Sequence, residues 1–153
     1  MMTLCCEVVS KLKGRTLVTA ESCTGGGIGA ALTSVAGSSA VFKGGVICYT
    51  DWVKENLLSV DPSLLECDGA VSSAVALAMA QGARENMQAD IAVSVTGLAG
   101  PDADSFGNPV GLVYIGYSDS YKNVCKTCYF TGDREQIREQ AVTAALNVIL
   151  ENK

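Results

Sequence analysis

No histidine occurs anywhere in the chain. Its absence excludes Ser-His-Asp and Cys-His catalysis as well as imidazole-bound metals. Any acid or base must therefore be Lys, Tyr, Asp, Glu, Cys or the terminal amine. Basic residues are also few: 11 Lys and Arg stand against 16 Asp and Glu, for a net charge of −5, with no long basic run. Binding nucleic acid through charge is disfavoured, and no such partner is expected. No apolar run is long enough to span a bilayer. The first residues lack the basic-then-apolar order of a secretion signal, so a cytoplasmic protein with no membrane partner is expected. The odd count of seven cysteines fits reduced thiols in that compartment. Two of them form Cys125-Lys126-Thr127-Cys128, which falls in a strand pattern where they face opposite sides. No second ligand pair accompanies them, so no metal and no cofactor are expected.

What is present is globular in character. Hydrophobic residues make up 48% of the 153 positions and charged residues 18%. One domain covering residues 1–153 has room for a real core at that length. Helical and strand periodicities alternate along it. A helix is expected from Thr3 to Lys13 with Gly14 as its C-cap, then a strand from Thr16 to Ala20 and a helix from Ile28 to Val35. Val46 to Tyr49 reads as a strand, Lys54 to Leu58 as a short helix, and Asp61-Pro62 as a capped helix start. Ser72 to Gln88 reads as an alanine-rich helix suited to close packing on a sheet. The strand from Ile91 to Thr96 alternates Ile91, Val93 and Val95 with Ala92, Ser94 and Thr96. Val110–Tyr117 and Lys122–Phe130 form an antiparallel pair, and Asp133 with Gln136 makes a capping box for the last helix. The order argues for an α/β fold: a single three-layer domain with a mixed β-sheet flanked by helices.

Two glycine loops follow strands in this pattern. The first is Ala20-Glu21-Ser22-Cys23-Thr24-Gly25-Gly26-Gly27, placed between a strand and a helix. Ligands of open α/β sheets gather beyond the carboxyl ends of strands. Backbone N–H groups and the helix N-terminus there suit either a phosphate or the oxyanion formed when Ser22 attacks a carbonyl. Spacing alone leaves these two readings equal, and an ordinary tight turn has a similar composition. The loop matches neither the P-loop nor the dinucleotide fingerprint. The second loop is Thr96-Gly97-Leu98-Ala99-Gly100-Pro101-Asp102, which can meet the first at the same sheet edge. A third segment brings Tyr49 to a strand end and Lys54 a short turn further on. Without histidine, Ser22 needs another base; a desolvated lysine can lose its proton near neutrality, and a tyrosine can relay one. Cys23 is a rival nucleophile at the helix N-terminus. Trp52 could stack on a flat ligand, although such a residue is more often a surface anchor.

Taken together, Ala-Glu-Ser-Cys-Thr-Gly-Gly at 20–26, Phe-x-Gly-Gly-Val-x-x-Tyr at 42–49 with Lys54, Gly-Ala-Val-Ser at 69–72, Thr-Gly-x-Ala-Gly-Pro at 96–101 and Pro-Val-Gly at 109–111 resemble the CinA carboxy-terminal domain family. This is the family of nicotinamide-nucleotide amidases, or NMN deamidases, and the similarity runs through essentially the whole chain. The resemblance is to the stand-alone form, without an amino-terminal molybdopterin-binding-like domain. It implies hydrolysis of nicotinamide mononucleotide (NMN) to nicotinic acid mononucleotide and ammonia, in pyridine nucleotide recycling, by a metal-independent serine mechanism. On that resemblance Ser22 is the nucleophile, Tyr49 and Lys54 are the candidates for activating it, and Thr96 supports the site. Gly25 and Gly26 are candidate oxyanion or phosphate donors, and Arg134 and Arg138 match a motif that could meet the phosphate. Glu21, Thr24, Gly45, Gly97 and Gly100 complete the expected substrate-binding set. A homo-oligomer, such as a dimer, is the expected assembly. One departure stands out: Gly107-Asn108 precedes Pro-Val-Gly where many members carry a charged pair. The alternative function is a nucleotide-binding or competence-related interaction domain without turnover.

Overall fold

The computed structural model describes residues 1–153. A five-stranded sheet forms its middle layer, with strand order β2-β1-β3-β4-β5. The strands are β1 (Leu17–Glu21), β2 (Phe42–Ile47), β3 (Ile91–Gly97), β4 (Leu112–Ser118) and β5 (Asn123–Tyr129). β1 pairs in parallel with both β2 and β3, whereas β4 runs antiparallel to β3 and to β5. The sheet is therefore mixed, as the alternating patterns predict.

Helices cover both faces. On one side α1 (Met2–Lys11), α2 (Gly27–Thr33) and α6 (Arg134–Asn152) close a core that includes Val8, Leu12, Leu17, Ile28, Val93, Ile115 and Leu146. On the other side α3 (Asp51–Leu58), α4 (Pro62–Cys67) and α5 (Ser73–Asn86) pack over Val18, Ala20 and Ala92. The alternation of β3 explains the division. Ile91, Val93 and Val95 enter the first core, while Ala92 enters the second and the Ser94 hydroxyl donates to the Ala76 carbonyl of α5. Small residues on the α5 side let that helix approach closely. Gly82 shows this most sharply: a Cβ there would run into the Leu58 carbonyl at the end of α3.

The start signals of three helices hold. Asp61 accepts from the Ser63 N–H with Pro62 following, Ser72 accepts from the Val75 N–H, and Asp133 with Gln136 forms the capping box of α6. Three boundaries move. α3 begins at Asp51, so Lys54 lies a full turn inside it, and β2 ends at Ile47, leaving Cys48 and Tyr49 in the connection beyond its carboxyl end. α1 ends at Lys11 with Leu12 as its C-cap, and Gly14 sits two residues on in the turn. All seven cysteines are free, and Cys125 and Cys128 lie on opposite sides of β5 as the strand pattern requires. No helix is long and apolar enough to cross a membrane.

Chain order fixes the place of the site. From β1 the chain passes through α2 on one face to β2; from β2 it passes through α3 to α5 on the other face to β3. The chain leaving β1 turns toward β2 and the chain leaving β3 turns the other way toward β4, which opens a crevice beyond the carboxyl ends of β1 and β3. Ser22 begins just past β1 and is tied across that crevice by its N–H, which donates to the Val95 carbonyl at 2.9 Å.

Candidate active site

A cavity of about 340 Å³ lies in the crevice. Ser22, Lys54, Thr96, Gly97, Gly100, Tyr49 and Arg134 are all in its wall, so the structure gathers seven of the expected residues in one place. Cys23, Ala70, Val71, Leu98, Ala99, Pro101 and Asp102 complete it.

Lys54 reaches the cavity because α3 buries one stripe, Lys54 and Leu58, a turn apart. Its side chain is 1% exposed, an unusual state for a lysine. The Nζ donates to the Cys48 carbonyl at 2.7 Å and to Ser22 Oγ at 3.1 Å. Burial lowers the lysine pKa from its ordinary 10.5, because the charged form loses hydration. Once Nζ has lost a proton, the same contact runs in reverse, with the Ser22 hydroxyl donating. That is the geometry of a nucleophile and its base.

Tyr49 stands elsewhere. It is 59% exposed, and its hydroxyl accepts from an Arg134 amino group at 3.2 Å. The hydrogen bond to Ser22 belongs to Lys54, so Tyr49 is a rim residue. Arg134 also donates to the Gly100 carbonyl at 2.6 Å and has no carboxylate within ion-pair distance. A cation thus stands at the mouth with its charge unpaired.

The loop carrying Ser22 is held from within. The buried Glu21 carboxylate accepts from Thr19 Oγ1 (3.1 Å), Thr24 Oγ1 (2.8 Å), the Ile28 N–H (2.8 Å) and the Gly29 N–H (3.0 Å). The last two are the first-turn donors of α2 that a bound phosphate would need. Glu21 occupies that cradle itself, which corrects the phosphate-cradle reading of this loop. Glu21 and Thr24 are consequently internal ties and lie outside the cavity wall. Gly25 donates its N–H to the Ser22 carbonyl, and Gly26 is the N-cap of α2; neither reaches the cavity. The N–H groups of Cys23, Ala99 and Gly100 donate to no protein acceptor. They are among the unpartnered backbone donors of the cavity wall, the kind of group that holds an oxyanion.

Three further expectations change. Arg138 donates its Nε to the Cys23 carbonyl and an amino group to the Thr24 carbonyl, at 3.0 and 3.2 Å, so it clamps the loop from α6 rather than facing the cavity. Gly45 lies in β2 beside Thr19, where a Cβ would strike the threonine hydroxyl; close strand packing, not ligand contact, explains it. Cys23 is buried, and burial pushes its thiol up to about 12, which keeps it protonated and unreactive at neutral pH.

Thr96 Oγ1 donates to the Ala70 carbonyl at 2.7 Å and so pins the 69–72 segment against β3. Asn108 adds a second tie, donating to the Val71 carbonyl at 3.3 Å and to Asp104 at 2.7 Å. Asp104 also accepts from the Phe106 and Asn108 N–H groups, so the acidic loop is internally braced. The Asp104–Asn108 partnership escapes sequence reasoning, although the Asx turn from Asp104 to the Phe106 N–H is a recognisable loop signal.

Fold and site together define a three-layer α/β domain with a serine–lysine pair at the switch point of its sheet. The chain belongs to the CinA C-terminal domain family, whose model matches residues 3–153. A CinA-like protein of Synechococcus is 46% identical over 151 residues, which are 96% of this chain and 36% of that protein. Another, of Geobacter sulfurreducens, is 48% identical over 135 residues, 88% of this chain and 33% of that protein. The chain thus spans about a third of the length of these curated relatives. Among solved structures, the competence damage-inducible protein A (ComA) of Klebsiella pneumoniae superposes with a TM-score of 0.96 at 37% identity, covering 99% of this chain and 95% of that one. The competence/damage inducible protein CihA of Agrobacterium tumefaciens gives 0.94 at 38% identity, covering 98% and 93%.

Proposed function

We propose that the protein is an amidohydrolase acting on the carboxamide of nicotinamide mononucleotide. The observation that carries this reading is the 3.1 Å contact between Lys54 Nζ and Ser22 Oγ inside the cavity. Neutral Lys54 takes the hydroxyl proton as Ser22 Oγ bonds to the carboxamide carbon. The oxyanion is held by backbone N–H groups of Cys23 and the Gly97–Gly100 loop. The C–N bond then breaks, and the proton on Lys54 leaves with ammonia. Water attacks the acyl-enzyme, again giving its proton to Lys54, and the carboxylic acid departs as Ser22 recovers its hydroxyl. Arg134, unpaired at the mouth, is the cation available to the nucleotide phosphate. The amide is supplied by the family resemblance; a serine–lysine pair alone fits other acyl groups.

Incubating the purified protein with NMN and measuring ammonia tests the reading. Ammonia is expected from the wild type and from Cys23→Ala, and none from Ser22→Ala. A wild type that binds NMN without releasing ammonia would instead be a nucleotide-binding domain.

A further inference from the structure

At the opposite end of the sheet from Ser22 lies a second cavity, of about 580 Å³. Its wall comes from the α1–β1 connection, the last turn of α5, the segment before β3, the β4–β5 hairpin turn and the end of α6 with Lys153. None of its residues takes part in the site described above.

Its wall carries both signs: Asp90 and Asp119, held by hydrogen bonds, and the cations Arg15, Arg84, Lys122 and Lys153, with Lys122 also lying over the Tyr117 ring. Asp90 accepts from the Thr16 N–H and hydroxyl, at 2.7 and 3.0 Å. Asp119 is buried and accepts from the Tyr117 hydroxyl and from the Tyr121 and Lys122 N–H groups. Arg15, Arg84 and Lys122 stand in the same wall, and none has a carboxylate within 4.0 Å; the chain's one ion pair is Lys126–Glu151, elsewhere. Arg84 donates its Nε to Ser118 Oγ at 2.9 Å. That bond fixes the guanidinium head in the wall and leaves both terminal amino groups free. The cations of the wall outnumber its side-chain carboxylates four to two, which leaves a positive excess for an anion to meet. Two guanidinium forks and an ammonium are donors suited to a phosphate. The cavity is much larger than a phosphate needs and falls in the range of small-molecule sites. Tyr121, 93% exposed, stands in its wall with a ring free to stack.

We propose that this cavity binds a phosphorylated small molecule with a flat ring, of the nucleoside monophosphate class, through Arg15, Arg84 and Lys122, with Tyr121 against the ring. Such a ligand meets Arg15, Arg84 and Lys122 with its phosphate and covers the tyrosine in one step. The site is separate from the serine centre, so it offers a place where a nucleotide can bind without being a substrate.

Adenosine monophosphate and inorganic phosphate are the probes, followed by amide NMR of the full chain at low salt. AMP is expected to shift the signals of Arg84 and of Ser118 to Lys122, with phosphate competing. Arg15→Ala with Arg84→Ala is expected to weaken AMP about tenfold or more, the loss of a charge-assisted contact. Lys122→Ala, on the exposed hairpin, gives a smaller loss in the same direction and serves if the double variant does not fold. Tyr121→Ala is expected to weaken AMP and leave phosphate unchanged. The proposal is overturned if AMP shifts only the Ser22 loop, if neither probe binds, or if binding is indifferent to the arginine and lysine substitutions.

Discussion

Lys54 Nζ lies 3.1 Å from Ser22 Oγ, although the two residues are 32 positions apart and sit on connections that leave different strands. The lysine is carried by α3 over one face of the sheet and the serine by the loop after β1, and they meet because both connections begin above the same crevice. The pair is buried, and burial pushes Lys54 below its ordinary 10.5.

A lysine that acts as base must lose its proton first. Lys54→Ala is therefore expected to slow NMN hydrolysis by about two to four orders of magnitude. Lys54→Arg should be nearly as slow, since arginine stays charged. The wild-type pH profile of kcat/KM is expected to rise with pH with a midpoint below 10.5, and that limb should vanish in both variants. A near-normal rate for Lys54→Ala moves the role to another group.

Stability in alkali follows from the two thiols around that lysine. Burial holds Cys23 at about 12 and Cys48 at about 11, against 9.0 for an exposed thiol. Between 9.0 and those values the unfolded chain has lost protons that the folded chain keeps, so stability falls as pH rises through the window. Lys54 has the opposite sign: its lowered pKa lets the unfolded chain bind the extra proton, and its contribution grows with pH up to 10.5. Urea midpoints from pH 8 to 10.5 are expected to decline less steeply in the Cys23→Ala, Cys48→Ala double variant than in the wild type. Parallel curves would contradict the buried-thiol account.

Glu21 ties together two threonine hydroxyls and two α2 amides with one carboxylate. Its removal leaves those donors buried without partners. Glu21→Ala is expected to cost about 3 kcal/mol of stability, from charge-assisted bonds of that order. Glu21→Gln, which keeps a single carbonyl acceptor, should lose less. Denaturant melts measure both, and amide exchange at Ile28 and Gly29 should accelerate in each. Unchanged protection at those amides would show that the carboxylate is dispensable.

Gly82 links α5 to the end of α3, because any side chain there meets the Leu58 carbonyl. Gly82→Ala is expected to destabilise the fold by about 1–3 kcal/mol through overpacking. Leu58 and Lys54 lie one turn apart on the same buried face of α3, so the shift should also lower kcat. A thermal melt and an ammonia assay on the same sample check both effects. An unaltered melting temperature would mean that the two helices separate freely.

Periodicity made much of this fold legible. The alternation of β3 assigned its two faces correctly, and Asp61, Ser72 and Asp133 announced their helices, because caps and strand faces are local properties. Ser22 was legible as a candidate site residue from its glycine loop after a strand, and Lys54 as one of two candidate bases, because with no histidine a hydroxyl needs another partner. The parts that stayed hidden depend on which backbone groups are already occupied. Nothing in the string Ala-Glu-Ser shows that the Glu21 side chain folds back under α2, or that Arg138 spends its guanidinium on two carbonyls. Tyr49 and Lys54 look equivalent in sequence; a one-turn extension of α3 turns one inward and leaves the other on the rim.

The head of α2 has no vacant place for a phosphate, because the chain's own Glu21 carboxylate is already bonded to those amides. The loop bearing Ser22 thereby contains its counter-charge as a covalent part of itself, and its shape does not wait for a ligand. Substrate affinity then need not be spent on ordering the nucleophile. On the proposed function, selection among substrates passes outward to the mouth, where Arg134 and Tyr49 meet solvent and where exchanging a side chain leaves the buried serine and lysine in place.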